Sequence, residues 1–226
     1  MAQATSGKTN WFAIWTSVAV VAVVAVVVVL VMVMNNRATD PGLAPNSSGI
    51  NQETGAISFG DGPDTVSTWV DFMCPYCGQF EKTEGKTITQ LIDDGKITLE
   101  LHPVSILDRL SQGSQFSTRA ASAMYAVAEA DPDNAYAFLT AMYENQPAEQ
   151  TAGLTDEEMV QIAKDAGVNV TPELESAILD GKFLDFAKQQ SLPEGATGTP
   201  TLAINGELVP ISFDPQADIV DRLTAQ

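Results

Sequence analysis

The chain has 226 residues, 29 of them acidic and 11 basic, giving a formal charge of −18 at pH 7. All 29 acidic residues lie at or after Asp40 and only nine basic ones follow Arg37, so the part past residue 37 carries −20. That field argues against nucleic acid or an anionic membrane surface as a ligand. The two cysteines leave none for a structural bridge, which excludes a small scaffold stapled by several disulfides.

Residues 1–10 form a short polar tail with one cation, Lys8. From Trp11 to Met34 the chain then runs 24 residues without a charge and with eleven valines. At about 1.5 Å per residue this exceeds the roughly 20 residues a bilayer-crossing helix needs, and Trp11 and Trp15 would sit at one interface. A cleaved signal peptide has a shorter apolar run and a small-x-small cleavage site, which Val31 to Arg37 lacks. No cysteine follows the run to carry a lipid. Residues 11–34 therefore read as one uncleaved transmembrane signal anchor. Both cysteines lie beyond this segment, and if they pair, the expectation is a cytoplasmic amino terminus and an extracytoplasmic domain at the cell membrane, where disulfides persist. Residues 35–55, rich in Asn, Pro, Gly and Ser, read as a flexible linker. Asn46-Ser47-Ser48 and Asn169-Val170-Thr171 match the N-glycosylation triplet, a pattern chance often supplies.

The folded part is expected from Ala56 onward. Ile57 to Phe59 and Thr65 to Phe72 read as strands, the second central. Pro75 suits the first turn of a helix, predicted from Pro75 to Glu84 with a break at Gly85. Ile97 to Val104 gives a third strand, with Ile97, Leu99 and Leu101 on one side. Helical spacing then holds for about 85 residues. Ala121, Met124, Tyr125 and Ala128 form one apolar stripe, and Phe138, Leu139, Met142 and Tyr143 form another. Thr155 to Glu158 is a capping box opening a helix that ends at Gly167, and Thr171-Pro172 opens the next, which breaks at Gly181 and resumes to Gln190. Thr201 to Ile204 and Leu208 to Ile211 flank Asn205-Gly206-Glu207, a hairpin signal, and Pro210 puts the second strand at an edge. Asp214-Pro215 opens a last helix carrying Ile219, Val220 and Leu223.

Between the second strand and the first helix lies Cys74-Pro75-Tyr76-Cys77. Two thiols at this spacing can close and reopen a small disulfide. Cys74, at the helix start, faces unpaired N–H groups that stabilise a thiolate, while Cys77 lies one turn further in. Pro75 and Tyr76 lie between the sulfurs and can tune the pair. Two packed but unreactive cysteines are the bland alternative. A Cu(I) metallochaperone using Met73, Cys74 and Cys77 is the rival binding reading, although these ligands are few for a soft ion. The lone His102, at a strand end beside Pro103 and without a nucleophile motif, reads as a structural or surface residue.

Asp71-Phe72-Met73-Cys74-Pro75-Tyr76-Cys77 with the distant Gly198-Thr199-Pro200-Thr201 resembles the DsbA family of thiol–disulfide oxidoreductases, especially membrane-anchored actinobacterial members. His102-Pro103-Val104, Ser117-Thr118-Arg119-Ala120-Ala121, Asn145-Gln146-Pro147 and Gly153-Leu154-Thr155-Asp156 add to it. The resemblance covers residues 56–226. It implies an α/β thioredoxin-like fold with a helical insertion domain at about residues 107–192. It also implies a cis-Pro200, with Thr199 and Pro200 presented to an extended substrate strand. The activity implied is introduction of disulfides into exported proteins, with no cofactor or metal beyond the redox-active Cys74–Cys77 disulfide. The implied partners are reduced, unfolded exported proteins and a quinone-linked membrane reoxidase of the vitamin K epoxide reductase or DsbB type. Two features depart from the best-known oxidases. Thr68 stands where they carry a buried acid, leaving Asp71 and Glu81 as candidates for proton transfer. Tyr76 and Thr199 occur in isomerase-type relatives, so a reductase or isomerase of the same fold is the alternative.

Overall fold

The structure is a computed structural model that describes residues 11, 15, 20–29 and 43–224. The chain divides into two units, residues 1–40 and 41–226. In the first, residues 20–29 are helical (α1). Half of the expected span over residues 11–34 lies outside the described residues, as do the whole tail at 1–10 and residues 35–42; among the described residues no helix is long and apolar enough to cross a membrane.

The second unit is built on a five-stranded sheet in the order β1-β3-β2-β4-β5. Its strands are β1 (Ile57–Phe59), β2 (Asp64–Val70), β3 (Ile97–Pro103), β4 (Thr201–Ile204) and β5 (Glu207–Val209). β2 and β3 pair in parallel through a crossover helix, α2 (Pro75–Asp93), and the other pairs are antiparallel. β2 stops at Val70, two residues before the expected end, because the Asp71 side chain accepts the Met73 N–H at 2.9 Å. That contact between a residue and its second neighbour turns the chain out of the ladder.

α2 runs nine residues past its predicted end. Its buried positions Cys77, Phe80, Glu84, Gly85, Ile88 and Leu91 recur at helical spacing straight through Gly85. A glycine inside a helix costs about 1 kcal/mol, less than the roughly 1.5–3 kcal/mol from burying a side chain such as Ile88 or Leu91. Propensity predicted a break and packing overrode it.

The helical insertion comprises α3 (Phe116–Ala130), α4 (Ala135–Glu144), α5 (Asp156–Asp165), α6 (Pro172–Leu179) and α7 (Leu184–Gln189). α3 is buried nearly all round from Phe116 to Ala128 and packs against the other four, its alanines allowing close approach. Thr155 and Glu158 form the expected capping box on α5, and Thr171 caps α6. In the β4–β5 hairpin Asn205 and Gly206 have φ of 49° and 83°, the two left-handed residues of a type I′ turn. Glu207 therefore belongs to the strand and not, as expected, to the turn, and β5 ends at Val209 on the sheet edge.

Two further expectations are corrected. The last helix is a single turn, α8 (Pro215–Asp218), followed by a 3-10 turn at Val220–Arg222. It stops because buried Asp218 turns back to accept N–H groups from Ser212 at 2.8 Å and Phe213 at 2.9 Å. Residues 46–55, expected within the linker, lie on the folded unit. Buried Ile50 bridges Ile57, Asn46 N–H donates to Glu129, and Tyr125 donates to the Gly55 carbonyl at 2.8 Å.

Apolar packing divides into two clusters. One gathers Val66, Phe80, Ile88, Leu99, Leu202 and Ile219 around the sheet and the body of α2. The other gathers the insertion helices with Val70, Leu101 and both cysteines. The CxxC turn thus sits in the core of the insertion while its helix runs on into the core of the sheet.

Candidate active site

Cys74 is the N-cap of α2 and Pro75 occupies the first helical turn. In the thiol form Cys74 Sγ donates to the Thr199 carbonyl at 3.2 Å, across 125 residues of sequence. The Thr199–Pro200 bond is cis, as the resemblance implied. The Thr199 hydroxyl is buried without a partner, which leaves it free to donate once Cys74 ionises. The Cys77 thiol, then Thr199 and the N–H groups of Cys77 and Tyr76, outweigh burial and pull the Cys74 thiol down from 9.0 to about 6. Cys77 is wholly buried, and desolvation pushes its thiol well up. Tyr76 is 61% exposed beside the pair.

The two candidate acids have separate hydrogen-bond partners. Asp71 is completely buried and its carboxylate accepts from Met73 N–H at 2.9 Å, Leu107 N–H at 2.9 Å and the Ser117 hydroxyl at 2.7 Å. It joins the end of β2 to the start of the insertion, and burial raises its pKa against those hydrogen bonds. Glu81 accepts from Thr140 at 2.7 Å and Tyr136 at 3.3 Å, and burial raises it too. Glu81, Cys77 and Thr68 line one small internal space of about 10 Å³, with Tyr136 and Tyr143. A space of that size takes about one water. Thr68, where the family's acid was expected, thus faces the same space as Glu81.

Beside Cys74 the cis-proline loop opens a depression of about 500 Å³ walled by Thr199, Pro200, Leu208 and Ile211. A cavity of about 870 Å³ between β1, α2, α4 and α5 includes neither cysteine. His102 is buried, stacked on Trp69 with ring centroids 4.3 Å apart, and its Nδ1 meets the Thr54 carbonyl at 3.2 Å, which fits the structural role expected for it. Among the described residues no three His, Cys, Asp or Glu side chains gather where they could hold a metal ion, and Met73 is wholly buried.

Sequence reasoning assigned no role to Gln146, Ser117 or Tyr143, yet each holds the segment from Asp71 to Cys74. Gln146 Nε2 donates to the carbonyls of Phe72 and Cys74, and the Tyr143 hydroxyl donates to that of Asp71 at 3.4 Å. Ser117 and Gln146 stand in segments that carry the family resemblance and Tyr143 in an apolar stripe, but these patterns name no partner, because each acts more than 40 residues from its own position.

A family model described as thioredoxin matches residues 54–222. Over 164 residues the chain is 29% identical to the serine/threonine-protein kinase PknE of Mycobacterium tuberculosis, covering 68% of this chain but only 28% of the kinase's length. Among solved structures, reduced DsbA from Mycobacterium tuberculosis superposes with a TM-score of 0.60 at 29% identity, over 74% of this chain and 84% of that one. The MdbA thiol-disulfide oxidoreductase of Actinomyces oris has the same fold, with a TM-score of 0.65 at 23% identity over 81% and 93%. By this match and this architecture the chain belongs to the thioredoxin family, in its DsbA-like group.

Proposed function

We propose that the protein is a thiol–disulfide oxidoreductase working as an oxidase, introducing disulfides into exported proteins through Cys74–Cys77. The observation that carries the direction is the opposite tuning of the two sulfurs, Cys74 held at about 6 and Cys77 pushed well up. A stabilised Cys74 thiolate favours the reduced enzyme, and a couple with a stable reduced form is a strong oxidant.

A substrate thiolate attacks Cys74 of the disulfide; the Cys74–Cys77 bond breaks, Cys77 leaves with the electron pair, and a mixed disulfide forms at Cys74. Cys77, buried and disfavouring charge, takes up a proton. Glu81 serves that transfer through the space it shares with Cys77, while Asp71 holds the turn. A second substrate thiolate then attacks the substrate sulfur and releases the Cys74 thiolate. The substrate's two thiols have become a disulfide and the enzyme's disulfide a dithiol. Thr199 and Pro200, with the depression beside them, hold the substrate strand.

The apolar segment at residues 11–34 anchors the protein in the cell membrane with the catalytic unit outside, where a quinone-linked reoxidase of the vitamin K epoxide reductase or DsbB type restores the disulfide. The test is the reduction potential of the pair together with catalysis. A potential near the DsbA end of the scale, about −120 mV, supports the oxidase, and one near the thioredoxin end, about −270 mV, would sink it in favour of a reductase. Cys74→Ala is expected to abolish oxidation of reduced, unfolded substrate and Cys77→Ala to accumulate mixed disulfides; turnover retained by Cys74→Ala would refute the mechanism.

A further inference from the structure

The carbonyls around Cys74 are held from outside α2. Gln146 follows α4 in the insertion, and its Nε2 donates to the Phe72 carbonyl at 3.0 Å and to the Cys74 carbonyl at 2.8 Å. One carboxamide thereby ties together the Phe72–Met73 and Cys74–Pro75 peptide groups, which bracket Met73 and Cys74. Its other end lies over Gly78, where an added Cβ would stand only 2.4 Å from Gln146 Oε1. Glycine weakens a helix interior relative to alanine, so its use at this position makes sense as room for the amide. The backbone of Gln146 is itself placed by its N–H donating to the Tyr143 carbonyl at 3.2 Å, and Tyr143 is the residue whose hydroxyl reaches the Asp71 carbonyl.

We propose that Gln146 is a positioning residue for the thiol–disulfide chemistry: its carboxamide locks the turn carrying Cys74, so the helical insertion sets how strongly the Cys74 thiolate is stabilised. Two effects act in the same direction. The groups that stabilise the thiolate, among them Thr199 across 125 residues of sequence, work only at fixed distances, and a looser turn lengthens them all. The N–H end of the carboxamide is also the positive end of its dipole, turned toward the Cys74 peptide. The inference rests on the dithiol–disulfide reading of Cys74–Cys77.

Two variants of the full chain test it. Gln146→Leu keeps the bulk and removes both donors, and Gly78→Ala leaves Gln146 in place but fills its space while favouring the helix. The readouts are the pH midpoint of Cys74 alkylation and the equilibrium constant for exchange with glutathione. Both variants are expected to raise the midpoint by about one pH unit and to move the equilibrium about tenfold toward the protein disulfide. Because both act through one contact, the double variant should add little to either single change. A midpoint and equilibrium like those of the unchanged protein in a folded Gly78→Ala would overturn the proposal, as would fully additive effects in the double variant. An unchanged protein that fails to exchange with glutathione would defeat the functional reading instead, while the alkylation midpoints would still decide the role of Gln146.

Discussion

Cys74 and Cys77 are three residues apart, yet one turn of helix moves the sulfur from donors that stabilise its charge to surroundings that reject it, and this asymmetry has a measurable pH signature. The Cys74 thiol falls from 9.0 to about 6 in the folded dithiol form. Between those values the unfolded chain binds a proton that the folded one does not. The reduced form therefore gains stability as pH rises from about 6 to 9, and loses it as pH falls through about 6. Cys77, raised, works the other way, but only above 9, where the unfolded thiol ionises. The disulfide form has neither thiol, while the buried carboxylates titrate in both forms and cancel in the difference. Unfolding of the two redox forms compared at pH 6, 7 and 8 should show the reduced form gaining on the oxidised one by about 1.4 kcal/mol per pH unit. A difference that stays flat would mean that the Cys74 thiol is not depressed. The Cys74–Cys77 pair was legible in the sequence because the residue type is itself the chemistry, and the cis bond before Pro200 was reached through the family resemblance. The work of Asp71 was not, because two of its three donors, from Leu107 and Ser117, are brought to it by the fold.

Among the elements, the capping box and the left-handed pair of the hairpin turn were legible from neighbouring residues alone, and the length of α2 was not. The capping box at Thr155 and the Asn205-Gly206 turn satisfy their own backbone, so four residues suffice to recognise them. The length of α2, by contrast, depends on what it lies against. Continuing through Gly85 places Glu84 on the buried face beside Phe80, Ile88 and Leu91, with Oε2 lacking a partner. Burial there, with Asp218 and Asp214 nearby and only Thr83 opposing, raises its carboxyl from 4.5 to about 7. The folded state then holds a proton that the unfolded chain gives up between those values, so Glu84 erodes stability as pH rises through that window. Glu84→Gln removes the titration. The variant is expected to unfold at higher denaturant than the unchanged protein at pH 8 and to lose most of that advantage at pH 5. Equal midpoints at pH 8 would show that the carboxylate finds water or a partner.

Across the whole molecule, the family resemblance implied a thioredoxin sheet with an insertion, but not that the cysteines would sit in the insertion's core, since no periodicity reports which of two apolar clusters a residue joins. Charge is the molecular property that the sequence states outright. With −20 beyond residue 37, the domain presents a negative field to any protein that approaches Cys74. The attacking group is itself a thiolate, so the field opposes the encounter unless the flanking residues of the substrate are basic. A reduced peptide flanked by Lys or Arg should therefore oxidise faster than one flanked by Asp or Glu at low ionic strength, by about tenfold within the range such steering spans. Raising the salt toward 1 M shortens the screening length to about 3 Å and should bring the two rates together, slowing the basic peptide and speeding the acidic one. Stopped-flow mixing of each peptide with the oxidised protein reads this directly. If the two rates keep a constant ratio from 10 mM to 1 M salt, peptide choice is made by contact with the cis-proline loop and not by the field of the molecule.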